Sequence, residues 1–146
     1  MRAGNLSAVP PLHWWRHLPA DAYTGAHLDI LHKAISGITI LNEPRWPDAV
    51  RGDPAAAIGV ALRTAKRHST PTPAVDLVTS AVVLTALAGD PAAALVLTKF
   101  IDRISSGTER SRLVASWLGV ARQGQCSVTA AKSSRRRVPN GTTAGA

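Results

Sequence analysis

Cysteine and acidic residues are both scarce in this chain. Cys126 is the single cysteine among 146 residues, so no intrachain disulfide and no cysteine-based metal set can form. A reducing, cytoplasmic setting is the simplest expectation. Aromatic residues are few, four tryptophans with one tyrosine and one phenylalanine, which leaves most of a core to aliphatic side chains and alanine. No apolar run suits a bilayer span: the stretch from Val75 to Ala88 is interrupted by Gly89-Asp90-Pro91, and extending it to Ile101 would put Asp90 near mid-membrane. Asn5, Ser7, Pro10 and Pro11 precede any apolar segment, a pattern unlike a secretory leader. Paired carboxylates, a nucleophile beside a base and a glycine-rich phosphate loop are all missing as patterns, so the sequence predicts no catalytic residue and no cofactor.

What is present is a repeated string. Gly52-Asp53-Pro54-Ala55-Ala56-Ala57 returns as Gly89-Asp90-Pro91-Ala92-Ala93-Ala94. In each copy the aspartate can accept from the free N–H groups of a first helical turn, proline fits the first helical position, and the alanines favour helix. Thr72-Pro73 repeats the cap-then-proline start, and Thr108-Glu109 offers a cap followed by an acid that suits the helix dipole. These starts predict helices over Pro54 to about His68, Pro73 to Ala88, Pro91 to Ile104 and Glu109 to Arg122. Ahead of them, Leu28, Leu31, Ile35, Ile38 and Leu41 form one apolar stripe that predicts a helix over residues 22–42.

The expected fold is therefore all-α: about five helices in an antiparallel bundle or a short αα-repeat. Residues 1–20 read as a proline- and tryptophan-rich arm, 21–123 as the helical domain, and 124–146 as a disordered basic tail. The apolar faces predicted to pack are Ile58, Ala61, Leu62 and Ala65 in the second helix, Leu95, Leu97, Phe100, Ile101 and Ile104 in the fourth, and Leu113, Val114, Trp117, Leu118 and Ala121 in the fifth. The third helix is apolar nearly all round, which places it at the centre. Trp46, in the proline-containing linker from Asn42 to Asp53, is expected to plug an end of the bundle.

Charge divides the chain. Residues 1–109 hold ten Lys or Arg and all nine acids, whereas residues 110–146 hold seven Lys or Arg and no acid. Such asymmetry suits an anionic partner or a solvated tail. Arg110, Arg112, Arg122, Lys132, Arg135, Arg136 and Arg137 are the candidate anion or nucleic-acid contacts. Trp14 and Trp15 either pack onto the bundle as a lid or stand exposed as contacts for a partner or membrane. His13 and His17, four apart, would share a face of an α-helix, but no third ligand completes a metal set, and no metal site is predicted. Residues Phe100 to Leu118 have the outline of a helix-turn-helix, with Glu109 placed badly for phosphates.

These features point to a non-enzymatic helical protein-interaction module, either an adaptor or self-associating. The alternatives are an accessory protein binding nucleic acid non-specifically through its basic C-terminal segment, and a peripheral membrane protein using the tryptophan arm.

Overall fold

The repeated Gly-Asp-Pro-Ala-Ala-Ala string both ends one helix and begins the next. The computed structural model of the chain describes residues 9–68 and 72–136, with side chains as far as Gln125. In the first copy Gly52 adopts φ +98°, its N–H donates to the Ala49 carbonyl, and the Asp53 N–H donates to the Asp48 carbonyl. In the second, Gly89 adopts φ +110°, its N–H donates to Ala86, and the Asp90 N–H donates to Thr85. This pair of bonds around a left-handed glycine satisfies the last carbonyls of the preceding helix. The same aspartates then cap the following helices, accepting from Ala56 N–H and Ala93 N–H, with Pro54 and Pro91 in first position. Ala56, Ala57, Ala93 and Ala94 are buried, so the alanines let neighbouring backbones approach as well as favouring helix.

The described residues fold as an all-α assembly of packed helices with no strand. Two 3-10 turns, Pro11–Arg16 and Ala20–Ala22, lead into α1 (Gly25–Ser36), α2 (Trp46–Val50), α3 (Pro54–Arg67), α4 (Pro73–Leu87), α5 (Pro91–Ile104) and α6 (Gly107–Arg136). Helices α3, α4 and α5 start where the caps predict. Thr72 caps α4 by accepting from Val75 N–H. Helix α4 is the hub, touching α1, α3, α5, α6 and the first 3-10 turn, which is why it is buried on every side. Its polar side chains survive there by bonding backward along the helix: Thr79, Ser80 and Thr85 hydroxyls donate to the carbonyls of Val75, Asp76 and Ala81.

Several sequence expectations need correction. The first helix ends at Ser36 rather than continuing to residue 42, because Gly37 follows and the chain turns at Leu41-Asn42 with Asn42 at φ +63°. Its packed stripe is short: Leu31 and Ile35 are buried, Ile38 is partly open, and Leu41 is 83% exposed. The linker contains the short helix α2, which the two prolines had hidden. Trp46 does fill a buried position, its indole N–H donating to the Ile38 carbonyl at 2.8 Å. On α3 the buried face is Ala57, Val60, Ala61 and Thr64, rotated from the predicted one, and Leu62 is exposed. On α5 Leu95 is likewise exposed while Ala93 and Ala94 pack. In both helices alanine makes the closest contacts and the bulkier neighbour is displaced outward.

The arm is not separate from the helical domain. Trp14, Trp15, Leu18 and Ala20 belong to the same buried core as α4 and α6. Helix α6 also differs from expectation, starting at Gly107 rather than Glu109 and passing both Arg122 and the boundary at residue 124. Between Gly124 and Arg136 there is no proline to break it, and basic residues near its end complement the dipole. The remainder of the predicted tail, from residue 137, lies outside the described residues.

One glycine fixes how α6 crosses the turn between α4 and α5. Gly124 is buried, and a Cβ built on it would lie 2.8 Å from the Gly89 carbonyl oxygen and 3.2 and 3.3 Å from Pro91 side-chain atoms. At Gly119, one turn earlier, a Cβ would meet nothing within 4 Å. Gly124→Ala is expected to cost about 1–3 kcal/mol through overpacking, whereas Gly119→Ala gains up to about 1 kcal/mol from helix propensity. Urea unfolding of the two variants checks the contrast, and equal effects would contradict the contact.

Candidate functional site

The one charged residue on α4 organises the arm. Asp76 lies in the first helical turn, where the dipole favours a carboxylate, yet it is only 2% exposed and needs partners. All of them come from the arm, some 60 residues away. Trp15 Nε1 donates to Oδ1 at 3.0 Å; Arg16 donates from Nε to Oδ1 at 2.9 Å and from Nη2 to Oδ1 and Oδ2 at 2.6 and 2.7 Å. His13 Nε2 lies 3.1 Å from Oδ2. The 3-10 turn explains the geometry, since residues three apart eclipse in it and His13 and Arg16 therefore reach the same carboxylate. Arg16 also sits over the Trp15 ring, 5.6 Å from its centroid. One turn further along α4, the Ser80 hydroxyl is 3.4 Å from the Leu12 carbonyl, and at the other end of the arm Ala20 N–H donates to Ser116 Oγ on α6 at 3.0 Å.

Beside this clamp lies an aromatic cluster. Trp14 meets His27 edge-on at 4.9 Å between centroids, Tyr23 meets His27 at 6.1 Å, and Tyr23 meets Trp117 at 5.9 Å. Thr24 N–H donates to His27 Nδ1 at 3.0 Å, completing a capping box with the Thr24 hydroxyl and leaving Nε2 to carry the proton of the neutral ring. Trp14 Nε1, Tyr23 OH and Trp117 Nε1 are buried with no hydrogen-bond partner among the described residues. Burial pushes the Tyr23 phenol well above its ordinary value.

A second buried carboxylate ties the loop after α1 to α3. Glu43, 5% exposed, accepts from Arg63 Nη2 at 2.9 Å and Nε at 3.4 Å, with Arg67 at 3.9 Å. Hydrogen bonding and charge from Glu43 raise the Arg63 guanidinium above its ordinary value. Next to it an open groove of about 330 Å³ is lined by Ile38, Ile40, Pro44, Trp46 and Val50 among others. A larger open groove, about 840 Å³, runs between the end of α4 and α6 past Ala88, Gly89, Ser116 and Gly119.

The residues singled out in the sequence fall in different places. Trp14 and Trp15 are 6% and 1% exposed, the packed alternative, so neither ring is presented to a membrane or partner; the cost of leaving two indoles in water is avoided by docking them on α4. His13 and His17 do not share a face: His13 turns to Asp76 while His17 is exposed, because the segment is 3-10 and not α. No group of three or more His, Cys, Asp or Glu suitable for a metal occurs among the described residues. Arg110 pairs with Asp102 at 2.7 Å and Arg112 with Glu109 at 2.9 Å, so the predicted basic face is partly neutralised at its start. Arg122 is exposed. Lys132, Arg135 and Arg136 are placed on α6 by backbone only, and Arg137 lies outside the described residues. Among the described residues no helix is long and apolar enough to cross a membrane.

Asp76 and Glu43 were missed by sequence reading. A signal for Asp76 existed: an acid inside a helix read as buried must have a cation, and Arg16 follows directly on the tryptophan pair. No known protein family, curated protein or solved structure matches the chain.

Arg16→Ala leaves the buried Asp76 carboxylate short of its main cation and is expected to destabilise the fold by about 3 kcal/mol, read by urea unfolding. A cost under about 1 kcal/mol, the range of surface pairs, would mean the clamp is an ordinary surface contact. Tyr23 gives a pH test. Its folded pKa is raised above the unfolded value of 10.0, so the stability it contributes is complete below pH 10 and falls as pH rises beyond it. Tyr23→Phe should remove that part of the alkaline decline and, by deleting an unpaired buried hydroxyl, leave neutral-pH stability equal or higher by about 1 kcal/mol. Because Tyr23 is the sole tyrosine, phenolate absorbance reports it directly; ionisation of the folded protein near pH 10 would contradict the burial.

Proposed function

We propose that this chain is a non-enzymatic helical interaction module that holds an extended, tryptophan- and arginine-bearing segment against a buried helix. A cytoplasmic setting suits its single cysteine. The Asp76 clamp is the observation that carries the reading. An ionised carboxylate offers about four lone-pair sites, and Trp15, Arg16 and His13 occupy them with protein donors. A carboxylate used in this way recognises a segment and has no capacity left for proton transfer. Glu43 is engaged likewise by Arg63 and Arg67.

A second reading rests on α6. After Glu109 the sequence contains no acid, and the helix runs to Arg136 carrying Arg122, Lys132, Arg135 and Arg136. This arrangement favours non-specific contact with nucleic acid through the C-terminal part of the helix.

The two readings separate in one experiment. Cross-linked pull-downs use the full chain and its Lys132→Gln/Arg135→Gln/Arg136→Gln/Arg137→Gln variant, at low and high salt, scored for protein and nucleic acid. The interaction-module reading expects one protein, another chain or an untagged copy of this one, in fixed ratio with both baits and little affected by salt. Nucleic acid recovered only by the unsubstituted chain, and lost at high salt, would transfer the function to α6.

A further inference from the structure

We propose that the Asp76 clamp also operates between molecules: the arm of one copy docks on α4 of a second, and two chains associate by exchanging the segment that contains Pro11–Arg16. The proposal rests on the interaction-module reading and names its partner as a second copy of this chain.

Charge complementarity supports it. Within α4, Asp76 is the sole charged residue, and within residues 9–20 the ionisable side chains are His13, Arg16 and His17, with no acid. An acidic groove thus faces a purely cationic arm. The contacts are specific as well as charged, since Trp15 Nε1 and the Arg16 fork converge on one buried carboxylate with the indole and guanidinium stacked. The molecule certain to carry this combination is another copy, and its arm would form the same bonds.

Topology favours exchange. The 3-10 turn ends at Arg16, and the next anchor on the body is Ala20, whose N–H is held by Ser116 on α6. Only His17, Leu18 and Pro19 separate the two. A short, proline-containing connection between two docked pieces is the kind of hinge through which identical chains swap elements. The product is closed and two-fold, each arm on the other's α4, and needs no surface that the single chain does not already use. In the wild-type chain the resident arm competes at an effective concentration of about millimolar, so exchange emerges only as protein concentration rises.

Two variants of the full chain test this by complementation. Asp76→Asn keeps a sound arm and damages the groove; Arg16→Ala keeps a sound groove and damages the arm. Neither variant alone contains a matched arm and groove. An equimolar mixture contains one match, available only between molecules and free of its resident competitor. Sedimentation velocity is expected to show each variant as monomer at concentrations where the mixture forms a one-to-one dimer, with association at least about tenfold stronger than for either alone. Helical circular dichroism confirms that each variant is folded, and Arg16→Gln with Asp76→Ala repeats the cross with different side chains. A mixture that associates no better than its folded components overturns the proposal. So does a variant that alone dimerises as strongly as the mixture, because the contact then lies elsewhere; the pull-down above would still decide the interaction-module reading on its own terms.

Discussion

The ion pair between Asp76 and Arg16 determines how the rest of the chain is arranged. A carboxylate on a helix surrounded by other helices is tolerable only when cations and N–H donors are brought to it. Here they arrive on one short segment, and the requirement therefore folds the N-terminal arm onto the hub helix. Once Arg16 is placed, Trp15 is drawn under its guanidinium and Trp14 is turned toward His27 and the start of α1. The arm's far end reaches Ser116 on α6. One buried charge thereby links the arm, α1, α4 and α6.

This economy has a cost in the same region. Trp14, Tyr23 and Trp117 bury three polar groups with no hydrogen-bond partner among the described residues. Each such group costs about 1–3 kcal/mol relative to a paired one. The clamp and the aromatic burial must outweigh that cost, and the balance makes docking of the arm less one-sided than burial of four rings would suggest. A segment held by one strong polar anchor and opposed by several weak penalties is suited to being released and recaptured as a unit.

Local chemistry was legible in the sequence, and relations between distant residues were not. Asp53, Thr72 and Asp90 act on the two or three residues that follow them, so their capping role can be read from a tetrapeptide, and the starts of α3, α4 and α5 follow. The faces of α3 and α5 were harder to read. Periodicity identifies the bulky apolar side chains, but Leu62 and Leu95 yield the closest approach to alanines, a choice made by neighbouring helices rather than by the helix itself. The site was the least legible part: Asp76 sits within an apolar run and its partners lie about sixty positions earlier. His13 and His17 misled because four-residue spacing was read with an α-helical period where the chain forms a 3-10 turn.

The close approach of Gly124 to the Gly89 carbonyl behaves as an index mark on α6. With Leu113 and Trp117 seated in the core upstream, the number of residues between those anchors and the mark is fixed. Inserting or deleting one residue in that interval would bring a side chain against the carbonyl and turn the remainder of the helix by about 100°. That stretch of α6 therefore accommodates changes of residue type far better than changes of length, and its bearing on the body is set by counting.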